Sequence, residues 1–225
     1  MTTGSDDRPP VGWTPAELAQ RVAGELRGGE VVNLGIGMPT LVANYTDPAL
    51  GVIFHSENGI VGMGPRPATE RDADPDLIDA GKAPTTLVPG ASIVGHDESF
   101  GIIRGGYLDC AVLGAFQVSA DGDLANWRLS SSEIGSVGGA MDIAVGARRV
   151  IAMMRHVDKA GRPKIVAACD LPLTARGCVT VIATDLAIID VRPEGLVVRA
   201  AAVDLNTIQA MTGVPLRWAD GVQPS

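Results

Sequence analysis

Short runs of β-branched and aliphatic residues recur along this chain, most closing on a turn signal, with helix signals falling between them. Residues 31–34 run into Gly35-Ile36-Gly37-Met38-Pro39-Thr40, where a second helix is predicted to start near Pro39. Residues 52–56 end at Glu57-Asn58-Gly59. Further strands are predicted at 87–88, 93–94, 110–113, 150–154, 165–168, 179–183 and 186–191. Pro193-Glu194-Gly195 turns the last of these into 196–201 as a hairpin. The first helix opens on Thr14 as N-cap, Pro15 at the first helical position and Glu17 completing a capping box. Leu18, Val22 and Leu26 give it one apolar face, and Gly28-Gly29 is expected to end it. Another helix is predicted from about Ala140, and a short one capped by Asp204 and ending at Gly213. Residues 62–86, rich in Gly, Pro and acidic side chains, read as a long excursion.

This interleaving predicts a single α/β domain, 13–218, built on one open, mainly parallel sheet with flanking helices. Residues 1–12 read as a disordered tail and 219–225 as a C-terminal tail. With aromatics at only 4%, the core must come from Val, Ile, Leu, Ala and Met, which suits helices packed closely on a parallel sheet.

The net charge of −8 and the lack of a Lys/Arg cluster argue against nucleic acid as a partner. Cys110, Cys169 and Cys178 have neither metal-ligand spacing nor an even-numbered disulfide framework and sit in or beside apolar runs, so they read as buried thiols in a reducing compartment. With no apolar N-terminal segment and no long apolar span, the expectation is a soluble cytoplasmic protein with no membrane partner.

Ligands of open α/β sheets bind beyond the carboxyl ends of the strands, and three segments fall there. In the first, Gly35 and Gly37 follow a strand and precede a helix, as in a phosphate-cradling turn or a plain tight turn; Thr40 takes the place of a third fingerprint glycine. In the second, Glu57 directly follows the apolar strand, either as a solvated turn residue or as a partly desolvated nucleophile. In the third, Gly138-Gly139 leads into a helix and either offers backbone N–H groups as an oxyanion hole or supplies positive φ. His55 reads as structural, and His96 and His156 have no triad arrangement around them.

Taken in order, VNLGIGMPTLVANY (32–45), HSENGIVGMGP (55–65), DPDLIDAGK (74–82), SFGIIRGGYLDCAVLGAFQVSADGDLANW (99–127), GGAMDIAVGARRVIAMMRH (138–156) and LPLTARGCVTVIATDLAIIDV (171–191) resemble the B (beta) subunit of family I CoA-transferases. The likeness runs over about 14–216, with SENG and GGAMD its most specific phrases. It implies a CoA-transferase-like fold and a ping-pong transfer of CoA from succinyl-CoA to a 3-oxoacid, 3-oxoadipate ahead of acetoacetate. In this reading Glu57 is the catalytic carboxylate that carries CoA as a thioester. Gly138 and Gly139 form the oxyanion hole, while Asn33, Gly35, Gly37, Asn58 and Lys82 contact substrate or CoA.

One thioester replaces another, so no metal and no cofactor is expected beyond CoA as a transiently covalent substrate. The resemblance also implies an A subunit, in an α2β2 assembly, with the cleft between the chains. Residues 129–136 depart from the family pattern, as do 93–96. A CoA-thioester or ring-opening hydrolase of the same fold is one alternative; relatives of that kind generally lack the SENG glutamate. A non-catalytic CoA- or nucleotide-binding module is the other.

Overall fold

A computed structural model describes residues 12–129 and 136–221. In chain order the elements are α1 (Pro15–Ala23), β1 (Val31–Leu34), β2 (Ile53–Ser56), β3 (Ile60–Met63), β4 (Leu87–Ile93), α2 (His96–Arg104), β5 (Cys110–Gly114), β6 (Gln117–Ser119) and β7 (Leu124–Ala125). There follow α3 (Ala140–Gly146), β8 (Val150–Met154), β9 (Ile165–Val166), β10 (Val179–Thr184), β11 (Ala187–Arg192), β12 (Gly195–Ala201), α4 (Leu205–Ala210) and β13 (Leu216–Trp218).

Ten strands form one sheet in the order β13-β12-β11-β10-β8-β5-β1-β2-β3-β4, and β7-β6-β9 form a small second sheet. The centre is parallel, β10 to β8 to β5 to β1 to β2. Antiparallel pairs extend it on both sides, through β3 and β4 at one end and through β11 and β12 at the other. The expected α/β sheet with flanking helices is thus present, mostly parallel, with a three-stranded sheet added.

The central strands β5 and β8 are buried on both faces, which explains their apolar runs. Along β8, Val150, Ala152 and Met154 enter one core with Ile103 of α2, Ile143 of α3 and Ile208 of α4. Ile151 and Met153 enter the other, with Leu18 and Val22 of α1.

Several local expectations need correction. α1 stops at Gly24 rather than at Gly28-Gly29, because Glu25 and Leu26 donate to Val22 O and Ala23 O in a tightened last turn. The helix near Pro39 is a 3-10 helix, Met38–Asn44. Strand segments 87–88 and 93–94 are one strand, and α2, β3, β6, β7 and β13 add to the predicted set. Gly12, placed in the expected tail, packs so closely on the Asp185 carbonyl that a side chain would clash, and Ala219 donates to Val198 O at 3.0 Å. Residues 1–11 and 222–225 lie outside the described residues, as does the 130–135 part of the Ser/Gly-rich loop. No helix among the described residues is long and apolar enough to cross a membrane.

Two histidines sit fully inside. His156 is held between Thr184 Oγ1 and Thr212 Oγ1, each at 2.9 Å, and His55 between Asn33 and Ser99. Burial lowers both from 6.5 to about 4. Each imidazole takes up its proton near 6.5 when unfolded but only near 4 when folded. Stability is therefore complete above pH 6.5 and falls as pH drops from 6.5 towards 4, by up to about 2.7 kcal/mol per pH unit for the pair. Urea titrations between pH 7.5 and 4.5 read this directly. An unfolding free energy that stayed level across that range would contradict it.

Candidate active site

β2 and β3 are joined by a three-residue hairpin loop, Glu57-Asn58-Gly59, closed by Gly59 N–H to Ser56 O at 2.9 Å. Gly59 has φ +112°, and a Cβ there would run into the Val94 carbonyl. Three distant segments hold this loop and its flanking Ser56 through four hydrogen bonds. Ala80 N–H donates to Ser56 Oγ at 3.0 Å, and Asn58 Nδ2 donates to Ile78 O at 2.8 Å. Val94 N–H donates to Gly59 O at 2.9 Å, and Ser99 Oγ donates to Glu57 O at 2.9 Å. A carboxylate on a free hairpin tip would swing in water; this one is fixed by its backbone.

The Glu57 side chain is half-buried and reaches the loop before α3, where Gly139 N–H donates to the carboxylate. A Cβ on Gly139 would overlap Glu57 Oε2 and come within 2.8 Å of Phe100 Cζ. Gly138, with φ +50°, leaves 3.8 Å between its virtual Cβ and Glu57 Oε1. The glycine pair thus does two things: it adopts the turn, and it lets backbone approach a carboxylate without side chains between.

Burial raises the Glu57 pKa above 4.5, opposed by the nearby His96 imidazole and by the Gly139 hydrogen bond. A poorly hydrated carboxylate facing a backbone N–H can attack a carbonyl beside a donor for the oxygen that becomes charged.

The structure distributes the other expected residues differently. Gly35 lies where β1 ends against β5; its N–H donates to Val112 O at 2.8 Å, and a Cβ would sit 3.1 Å from that oxygen and from Leu113 Cδ2. Gly37, at φ +89°, opens the 3-10 helix into free space. Asn33 is 1% exposed, with its amide nitrogen committed to His55 at 2.9 Å, so direct contact with a ligand carbonyl requires that bond to be exchanged. Asn58 is exposed but ties its amide to Ile78.

Lys82 is exposed at φ +64°, in a turn organised by Asp79, whose Oδ1 accepts from Gly81 N–H and Ala83 N–H at 2.8 and 2.9 Å. Gly81 stands against Ile36 at the tip of the Gly35–Gly37 turn, with a virtual Cβ 3.1 Å from Ile36 Cγ2. The excursion predicted at 62–86 accordingly folds back beside the hairpin loop, its ends tied by Gly64 N–H to Thr86 O at 2.7 Å.

Helix α2 supplies what the residue patterns did not reveal. Glu98 Oε2 caps the Gly95 N–H at 3.0 Å, Ser99 reaches the Glu57 carbonyl, Phe100 packs at Gly139, and the His96 ring lies 4.6 Å from the Phe100 ring. The one available signal was Glu98 three residues after Gly95. At the opposite ends of β1 and β5, Arg27, Glu30, Asp109, Arg148 and Arg149 line a cavity of about 570 Å³, away from this site.

Comparison with known proteins supports one family. The family model described as "Coenzyme A transferase" matches residues 16–211. The chain is 53% identical over 203 residues to the B subunit of 3-oxoadipate CoA-transferase from Pseudomonas putida, covering 89% of this chain and 94% of that one. It is 40% identical over 225 residues to the mitochondrial succinyl-CoA:3-ketoacid coenzyme A transferase 2A of Rattus norvegicus, covering 98% of this chain but 42% of the relative. Among solved structures, an acyl-CoA transferase apoenzyme from Escherichia coli O157:H7 superposes with a TM-score of 0.72 at 20% identity, over 99% of this chain and 44% of that one. This chain therefore spans under half the length of those two longer proteins.

Proposed function

The chain belongs to the coenzyme A transferase family, and we propose that it is the B subunit of an enzyme that moves CoA from succinyl-CoA to a 3-oxoacid through a thioester on Glu57. The observation that carries this is the Glu57 carboxylate lying directly on the Gly139 amide, with no side chain between them. 3-Oxoadipate ranks ahead of acetoacetate as acceptor, on the strength of the identity to the Pseudomonas putida protein. The name of the Pseudomonas putida relative as a B subunit, and the 42% share of the rat relative that this chain matches, support an A-type partner, and we take the assembly to be α2β2. Cys110 is buried as expected, whereas Cys169 and Cys178 are only half-buried; as free thiols all three suit a reducing cytoplasm.

In the first half-reaction a Glu57 carboxylate oxygen attacks the succinyl thioester carbonyl. The C–S bond breaks, and CoA thiolate leaves behind a succinyl-glutamyl anhydride. The thiolate then attacks the glutamyl carbonyl, succinate departs with the bridging oxygen, and CoA remains as a glutamyl thioester. A 3-oxoacid carboxylate reverses these steps and regenerates Glu57. No proton is gained or lost overall, so a carboxylate without a partner base suffices. Gly139 N–H, with Gly138 beside it, serves each oxyanion in turn. The protein supplies orientation and partial dehydration, and CoA acts as substrate, with no further cofactor in this scheme.

Lys82 is set to meet a phosphate of CoA at the rim. Lys82→Ala should lower kcat/KM for succinyl-CoA about 10-fold, with part of the loss in kcat, since the loop that carries Lys82 also anchors the Glu57 hairpin through Ile78 and Ala80. The central test is to assemble the chain with an A subunit, add succinyl-CoA and treat with borohydride or hydroxylamine. Modification of Glu57 supports the transferase. Thioester hydrolysis without a trapped glutamyl group would sink it in favour of a hydrolase, and CoA binding with neither outcome in favour of a binding module.

A further inference from the structure

Behind the hairpin loop, three buried polar side chains from three elements form a connected line: Asn33 of β1, His55 of β2 and Ser99 of α2, none more than 1% exposed. The direction of each hydrogen bond can be assigned. Asn33 Nδ2 lies 3.3 Å from the His55 carbonyl, which only accepts, so the amide nitrogen is the atom facing His55. Its second N–H points at His55 Nδ1, 2.9 Å away, which makes Nδ1 the acceptor and leaves the ring proton on Nε2. Nε2 donates to Ser99 Oγ at 3.0 Å, and the Ser99 hydroxyl donates in turn to the Glu57 carbonyl at 2.9 Å. Carbonyl oxygens at both ends make the line one-way.

Asn33 Oδ1 is buried with no partner among the described residues, which costs stability. Burial keeps His55 neutral down to about pH 4, so the same tautomer serves throughout the physiological range.

We propose that Asn33, His55 and Ser99 are positioning residues that fix the Glu57–Asn58 peptide and so aim the Glu57 carboxylate beside Gly139 for attack on the thioester. The inference rests on the transferase reading of Glu57 and assigns those residues an effect on the chemical step rather than on binding. Ser99 grips the main chain of the nucleophile, one residue from where Asn58 is strapped to Ile78. Releasing it lets the carboxylate drift, and misplacement by about 1 Å can cost 100-fold in rate.

The test uses the complex assembled with its A subunit and three variants. In Ser99→Ala and His55→Leu, formation of the glutamyl–CoA thioester, followed by quenched-flow mass spectrometry, should slow by about 10- to 100-fold. The KM for succinyl-CoA should stay within about twofold of the parent. His55→Gln should restore the rate to within about threefold, because its Oε1 accepts from Asn33 while its Nε2 donates to Ser99.

A second readout needs no turnover. The chain has only three histidines, so 15N-histidine NMR with His55→Gln as assignment control reports the His55 tautomer. The Nε2–H form is expected. The Nδ1–H form overturns the relay outright, as does a parental rate in Ser99→Ala, or a His55→Gln as slow as His55→Leu. If the parent complex itself forms no thioester, the Glu57 reading falls and the aiming role with it, while the tautomer still reports whether the line of bonds runs as assigned.

Discussion

Glu57→Gln should abolish CoA transfer, lowering kcat by roughly 10⁴-fold or more, while the chain still folds and assembles. Glutamine retains the shape of the side chain and its reach towards the Gly139 amide but cannot carry the acyl and thioester intermediates. Glu57→Asp, shorter by one methylene, should keep a trace of activity, about 100-fold down, since the carboxylate withdraws by roughly 1 Å. The thermal midpoint of Glu57→Gln should equal or exceed that of the parent. Burial raises the Glu57 pKa, so the ionised form is disfavoured in the folded state relative to the unfolded one at neutral pH. The sign follows from linkage: a carboxyl with a raised folded pKa favours folding only when protonated, and that contribution is lost as pH rises. Steady-state transfer assays and a thermal melt in the same buffer check both halves; normal turnover by Glu57→Gln would end the proposal.

Gly139→Ala is the second large effect. Its methyl group would overlap Glu57 Oε2 and press on Phe100 Cζ, so the carboxylate must leave the position in which it meets the backbone N–H. A loss of about 100- to 1000-fold in kcat is expected, comparable to removing an oxyanion donor. Gly138→Ala is the control. Its Cβ clears Glu57 by 3.8 Å, and the main cost is a positive φ at an exposed position, about 1 kcal/mol of strain. It should lose less than about 10-fold in kcat. Equal losses in the two variants would mean that loop strain, not the closeness of Gly139 to the nucleophile, governs the rate.

The strand at 150–154 was legible because a strand covered on both faces can be apolar at every position, and such a run is visible in one dimension; 31–34 was legible through Val31, Val32 and Leu34, which flank the buried Asn33. Glu57 and the 138–139 glycines were legible for a related reason, since each combines a strand end or helix start with an unusual residue. α2 was not. Nine residues long, with Gly101 inside it and Asp97 and Glu98 in its first turn, it carries apolar residues only at Phe100, Ile102 and Ile103, too short a stripe to mark a helix. β3 is broken by Gly62, whose φ of +90° and close approach to Ala91 belong to an irregular ladder rather than to alternation. The partners of the site hid for another reason. Asn33, His55 and Ser99 are separated by 22 and 44 residues, and only the parallel order of β1 and β2, with α2 laid beside them, brings them together. Single-residue patterns carry no trace of such pairings.

The hairpin's ties to Ile78 and Ala80 have a mechanical corollary. Those two residues belong to the same short loop as Lys82, so a nucleotide phosphate held at the rim would also stiffen the anchorage of the reacting carboxylate. Adhesion gained far from the scissile carbon can then be spent where bonds change, and acyl thioesters of a truncated pantetheine should react slowly even at saturation.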